Sequence, residues 1–167
     1  KMLPYVFVRS FNIRHCEWCE IDFENRQWII PASKMKTKTE FILPLANQVI
    51  EILKEVQQFT GTGKYVFPSF IKKDKPMSDN TLIGALRRMG YTKEEFVPHS
   101  FRAMFSTIAY ENINEHQCSG EVIEALLAHK ETNKVKEAYN RATYKQGMKK
   151  LIDWYSNHLT FIVQIKI

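Results

Sequence analysis

Apolar spacing divides the chain into two short strands near its start and a series of helices after them. Trp28-Ile29-Ile30-Pro31 is an aromatic and β-branched run ending at proline, and Glu40-Phe41-Ile42-Leu43-Pro44 is a second. Between them, the basic stretch Lys34-Met35-Lys36-Thr37-Lys38 predicts a turn. The pair reads as a small antiparallel sheet with a positively charged tip. Ahead of it, residues 10–18 have helix-compatible spacing through Phe11, Ile13 and Trp18, with Ser10 placed to cap the first turn. Behind it, Leu45, Val49, Ile50, Ile52, Leu53 and Val56 predict a helix over 45–59, closed by Gly61 and Gly63.

Tyr65-Val66-Phe67-Pro68 is a short apolar piece before the polar loop Lys72-Lys73-Asp74-Lys75-Pro76. Ser78 then caps a helix reaching about residue 89, with Leu82, Ile83 and Leu86 on one side, Arg87 and Arg88 in its last turn and Gly90 as its stop. Further helices are predicted over 99–111, 121–128, 134–139 and 146–158. The tail 161–167 is rich in β-branched residues and reads as a strand. The expected architecture is one α+β, mainly helical domain with a small antiparallel sheet and a C-terminal strand.

Composition narrows the partners. With 167 residues, 44% of them hydrophobic, a chain of this size buries roughly two thirds of its unfolded surface in one core. The net charge of +6, from 24 Lys+Arg against 18 Asp+Glu, leans toward a polyanion, because each neutralised phosphate releases counterions. No apolar run reaches the roughly 18 to 20 residues of a membrane helix, so the expectation is a soluble, intracellular protein without a membrane partner. Three cysteines, Cys16, Cys19 and Cys118, do not make a disulfide framework and agree with a reducing compartment. The opening run Pro4-Tyr5-Val6-Phe7-Val8 has no initiator methionine ahead of it, which suggests a piece of a longer protein.

Chemistry is spread from end to end: Arg9, Lys36, His99, Arg102, His129 and Tyr139. Two arginines, a lysine and two histidines supply charge and donors for a phosphate oxyanion, and a tyrosine ten residues beyond the last histidine supplies an attacking hydroxyl. No cluster of carboxylates for a divalent metal accompanies them. A tyrosine hydroxyl is a weak nucleophile near neutrality, its ordinary pKa being about 10, and a phosphodiester oxygen leaves poorly, so both ends of the reaction need help. The set points to cutting and rejoining a DNA strand through a phosphotyrosine.

In order, the segments resemble the catalytic domain of phage-type tyrosine recombinases, the lambda-integrase family that includes integrases of prophages and genomic islands. Val8-Arg9-Ser10 through Trp18-Cys19-Glu20-Ile21-Asp22 is similar to the family's first box; Lys36 stands eight residues before Pro44, as the hairpin lysine does. Pro98-His99-Ser100-Phe101-Arg102 matches the His-x-x-Arg box, Leu126-Leu127-Ala128-His129 the second-histidine box, and Ala138-Tyr139-Asn140-Arg141 the nucleophile segment. The resemblance implies site-specific recombination by a metal- and cofactor-free strand transferase. Tyr139 would form a 3′-phosphotyrosyl bond, His99 would assist its proton, Lys36 would protonate the leaving 5′-oxygen, and Arg9, Arg102 and His129 would hold the nonbridging oxygens. It further implies double-stranded DNA as partner, contacts from Lys34, Lys38, Lys72, Lys73, Lys75, Arg87, Arg88 and Arg141, and a homotetramer on DNA, with a monomer in its absence. A cytoplasmic, nucleoid-associated bacterial location follows. Asn12 departs from the family, which usually has Glu there, and removes a partner for Arg9.

Plainer readings stand beside these. Lys34 and Lys38 rival Lys36; Tyr144 and Tyr155 rival Tyr139. His129 could be a buried histidine bonded to backbone, Arg14 and His15 could be structural or face DNA, and Arg87 and Arg88 could simply complement a helix end. Cys16-Glu17-Trp18-Cys19 lacks a second cysteine pair and reads as helix before it reads as a zinc site. The tail strand could dock on its own sheet or on a neighbouring protomer. At the level of function, a type IB topoisomerase and a noncatalytic DNA-binding module are the alternatives, the latter hinted at by Asn12.

Overall fold

The computed structural model describes residues 1–129 and 134–165, and the side chains of all these except 134–143 and 163–165. After a 3-10 turn at Leu3–Tyr5, the elements are α1 (Ser10–Arg14), β1 (Ile21–Asp22), β2 (Gln27–Ile30), β3 (Phe41–Pro44), α2 (Asn47–Thr60), α3 (Asp79–Arg88), α4 (Ser100–Glu111), α5 (Ile113–His116), α6 (Gly120–Leu126) and α7 (Lys134–Ile165). The strands form a meander in the order β1-β2-β3, antiparallel throughout, with Trp28 opposite both Ile21 and Leu43. Alternation places Trp28, Ile30 and Leu43 in the core, as a half-buried sheet requires.

The helices close over that sheet. Val49, Ile50 and Leu53 bury one face of α2. Gln48 on α2 donates to Asn157 on α7 at 3.0 Å. The centre of the core is aromatic: Phe7 stacks on Phe105 of α4 at 3.6 Å between centroids, and Tyr155 of α7 meets both rings edge-on. The N-terminal segment, α4 and α7 are thereby locked together. At the α6–α7 contact, a Cβ on Gly147 would lie 2.9 Å from Val122 Cγ2, so only glycine permits this approach.

Several expected elements differ. The helix expected over 10–18 ends at Arg14, because residues beyond it pair as extended chain with 64–66: Val66 N–H donates to Cys16 O and Trp18 N–H to Lys64 O. Arg9, not Ser10, is its N-cap residue. Cys16 is therefore in an extended segment and buried, which pushes its thiol up, while Cys19 is exposed. The two helices expected over 134–139 and 146–158 are one, α7. The C-terminal strand is corrected as well: residues 161–165 continue α7. Extending an existing helix adds a hydrogen bond per residue without a new nucleus, no Gly or Pro interrupts the sequence after His158, and β propensity is realised only where a partner strand is at hand. Among the described residues no helix is long and apolar enough to cross a membrane.

Candidate functional site

Arg102 is the hub. It lies in the same inward stripe of α4 as Phe105 and Ala109, a spacing that normally carries an apolar side chain, and is only 6% exposed. Its guanidinium donates to the carbonyl of Phe7, to that of Leu127 at 2.6 Å, and to His129 Nε2 at 3.3 Å. Burial, then the positive charge of Arg9, pull its pKa down to about 10. The group stays charged at neutral pH, and Arg9 is near enough to be felt. Phe7, whose carbonyl Arg102 grips, is two residues before Arg9. Residues from the N-terminal segment, α4 and the end of α6 thus converge.

His129 reaches the hub through the end of α6. Ala128 adopts a left-handed conformation with φ 50°, while Ala128 N–H bonds Ala125 O and His129 N–H bonds Glu124 O. This is a Schellman closure with alanine where glycine is usual, at a cost of about 1 to 2 kcal/mol for the left-handed Cβ. The turn projects a half-exposed imidazole whose Nδ1 lies 2.6 Å from Glu124 Oε2. The carboxylate sets the proton on Nδ1, so Nε2 faces Arg102. Tyr110 donates to the other Glu124 oxygen at 2.9 Å. Burial alone would raise the Glu124 carboxyl, but the bonds from His129 and Tyr110 hold it below its ordinary value. Glu124 and Tyr110 were not singled out from sequence, since a glutamate on an amphipathic helix looks like any solvated charge. The buried histidine bonded to backbone is His116, which bridges Ala109 O and Cys118 N–H.

The other expected site residues fall in distinct places. His99 is the exposed N-cap of α4, one turn before Arg102. Lys36 and Lys38 are exposed on the β2–β3 connection, Lys38 with φ 56°. Lys34 is a correction: its ammonium donates to His15 O at 2.6 Å, to Glu17 at 2.8 Å and to Glu20, using all three donors inside the protein. Burial would lower its pKa, yet the bonds from Glu17 and Glu20 raise it, so it is a firmly held cation rather than a free contact for DNA. Lys72, Lys73, Lys75 and Arg88 are exposed. Arg87 donates to Tyr91 O and Phe96 O and ties down the turn after α3. Arg14 pairs with Asp79 and bonds Met77 O, fixing the start of α3 to α1, and the His15 ring stacks on Phe11.

The side chains of Tyr139 and Arg141 lie outside the described residues. Of its rivals, Tyr155 is fully buried between Phe7 and Phe105 and cannot meet a phosphate; Tyr144 is half-buried against the core. Among the described residues the Tyr155 hydroxyl has no hydrogen-bond partner, and burial raises its pKa. Tyr155→Phe is therefore expected to stabilise the protein by about 1 kcal/mol, since it removes an orphaned polar group from the core. Thermal denaturation checks this. A fall in the melting temperature would mean that the hydroxyl is satisfied in solution.

A family model described as the phage integrase family matches residues 5–146. The chain is 36% identical over 150 residues to prophage integrase IntA of Escherichia coli K12, covering 90% of this chain and 35% of that protein. It is 34% identical over 160 residues to the integrase of Shigella phage Sf6, covering 95% and 40%. Hence it spans well under half the length of these relatives. Among solved structures, the integrase from mycobacterium phage Brujita aligns with a TM-score of 0.65 at 18% identity, over 91% of this chain and 48% of that one. XerA recombinase aligns at 0.61 and 17% identity, over 94% and 54%. Both likenesses show the fold.

Proposed function

Because the chain belongs to the phage integrase family, we propose that residues 1–167 are the catalytic part of a longer site-specific recombinase that cleaves and rejoins duplex DNA through Tyr139. The Tyr139 hydroxyl attacks the scissile phosphorus, giving its proton toward His99, while the bond from phosphorus to the 5′-oxygen breaks and Lys36 protonates the departing oxygen. A 5′-hydroxyl from a second duplex reverses the step. Arg9, Arg102 and His129 hold the nonbridging oxygens, with guanidinium suited to the task by its planar pair of donors and permanent charge. The ester energy is retained in the phosphotyrosine, so the reaction requires neither metal nor cofactor.

The observation that carries this reading is the convergence of Arg9, Arg102 and His129 from segments far apart in sequence. Exposed Lys36, Lys38, Lys72, Lys73, Lys75 and Arg88 supply backbone contacts for the duplex, and Arg141 is assigned the same role beside the nucleophile. Four protomers on two duplexes complete the assembly, acting on the bacterial chromosome in the cytoplasm. The topoisomerase alternative is not favoured by relatives that are named integrases.

The test is to incubate the protein with a pool of nicked duplexes of randomised sequence, trap covalent adducts with detergent and map the modified peptide by mass spectrometry. The reading expects a nucleotide on Tyr139. An adduct on Tyr144, or DNA retained without any adduct, overturns it.

A further inference from the structure

We propose that Asn12 and Lys34 are positioning residues that fix Lys36 relative to Arg9, so that the proton donor and the phosphate-binding arginine move as one body. The inference rests on the recombinase reading above. Asn12, 3% exposed, is bonded on both sides: its N–H donates to Arg9 O at 2.9 Å, and its side-chain Nδ2 donates to Lys34 O at 2.9 Å and contacts Met35 Sδ at 3.7 Å. Asn12 therefore links the first turn of α1, where its backbone N–H meets Arg9 O, to the β2–β3 connection, which its side chain holds. Lys34 fastens the same connection a second time through His15 O, Glu17 and Glu20. Glu20 is in turn held by Trp28 Nε1 of β2 at 3.1 Å. Met35, the residue between this anchor and Lys36, is buried, whereas Lys36 is exposed. The clamp thus ends one residue short of the proton donor.

A largely buried ion cluster is a poor way to gain stability, because desolvating each charge offsets much of the attraction; its use is to define one geometry. Here the partners available to Lys34 exist at one register of the connection against α1. A turn that slipped by a residue would strand two carboxylates and leave the Asn12 amide without its carbonyl. Asparagine suits the task, since an amide N–H can donate to a backbone carbonyl and a carboxylate cannot.

The experiment uses a duplex recovered from the adducts, synthesised with either oxygen or sulfur as the 5′-bridging atom. A thiolate departs without a proton, so a variant impaired only in delivering one is restored by sulfur. Lys34→Met and Asn12→Ala are expected to slow single-turnover cleavage of the oxygen substrate by about 10- to 100-fold, the range caused by small misplacements of a catalytic group. On the sulfur substrate both should return to within a few-fold of the parent, in parallel with Lys36→Ala. Equal loss on both substrates, or none on either, overturns the proposal; Asn12→Ala leaves the ion cluster intact and decides the matter if Lys34→Met does not fold. Failure of Lys36→Ala to be rescued also overturns it while leaving the Tyr139 adduct standing. A parent forming no adduct on either duplex refutes the recombinase reading itself.

Discussion

Arg102→Gln and Arg9→Gln are expected to lose similar cleavage activity, about 100- to 1,000-fold each, as for removal of one preorganised donor to a developing oxyanion. Only Arg102→Gln is expected to melt earlier. Besides the phosphate-binding role proposed for it, Arg102 is a staple: it donates to Phe7 O and Leu127 O, whose residues are 0% and 3% exposed. Glutamine reaches at most one of these carbonyls, and a buried acceptor left without its donor costs about 1 to 3 kcal/mol. Relief of the arginine's own desolvation offsets part of that, leaving a net loss on the order of 2 kcal/mol, or roughly 4 to 8 °C for a domain of this size. Arg9 is partly exposed at a helix start and makes no side-chain cap bond, so its replacement should leave the melting temperature within about a degree. Single-turnover cleavage and thermal denaturation on both variants check the pair. An unchanged melting temperature for Arg102→Gln would mean that its carbonyl bonds carry no net stability.

The same dual role explains what could be read from sequence. β2 and β3 were legible because a two-stranded alternation bounded by Pro31 and Pro44 has few other solutions. α3 was legible from Ser78 at its start and Gly90, with φ 96°, beyond its end. The tail was misread because Ile162, Val163 and Ile165 favour a strand only if an edge is there to receive them, and sequence does not reveal edges. Lys34 was misread for a related reason: a lysine on a polar turn looks solvated until Glu17 and Glu20, 17 and 14 residues away, fold against it. The boxes single out Arg102 and His129, which the fold brings together, but not the carboxylate bonded to His129. Glu124 is five residues before it, a distance that means little until Ala128 turns the chain back.

That partner supports the second large effect, and a double-mutant cycle measures it. His129→Ala is expected to slow cleavage by about 100-fold or more: Nε2 accepts from Arg102 in this structure and must carry a proton to donate to a phosphate oxygen, and alanine can supply no such donor. Glu124→Ala is expected to slow it by about 10-fold, the low end for loss of a group that orients a functional histidine. If Glu124 acts only by holding Nδ1–H of His129, the double variant should be no slower than His129→Ala alone. Multiplied losses would give Glu124 an independent role. The carboxylate also makes a pH prediction. Its pKa is lowered in the folded protein, so its contribution to stability is fully present above the unfolded value of about 4.3 and is lost as pH falls through the folded one. Glu124→Gln should therefore flatten this acid limb, with wild type and variant converging at low pH. The physical reason is that bonds from Tyr110 and His129 are stronger to an ionised carboxylate than to a neutral carboxyl, so protonation weakens the contact that turns Nε2 toward Arg102.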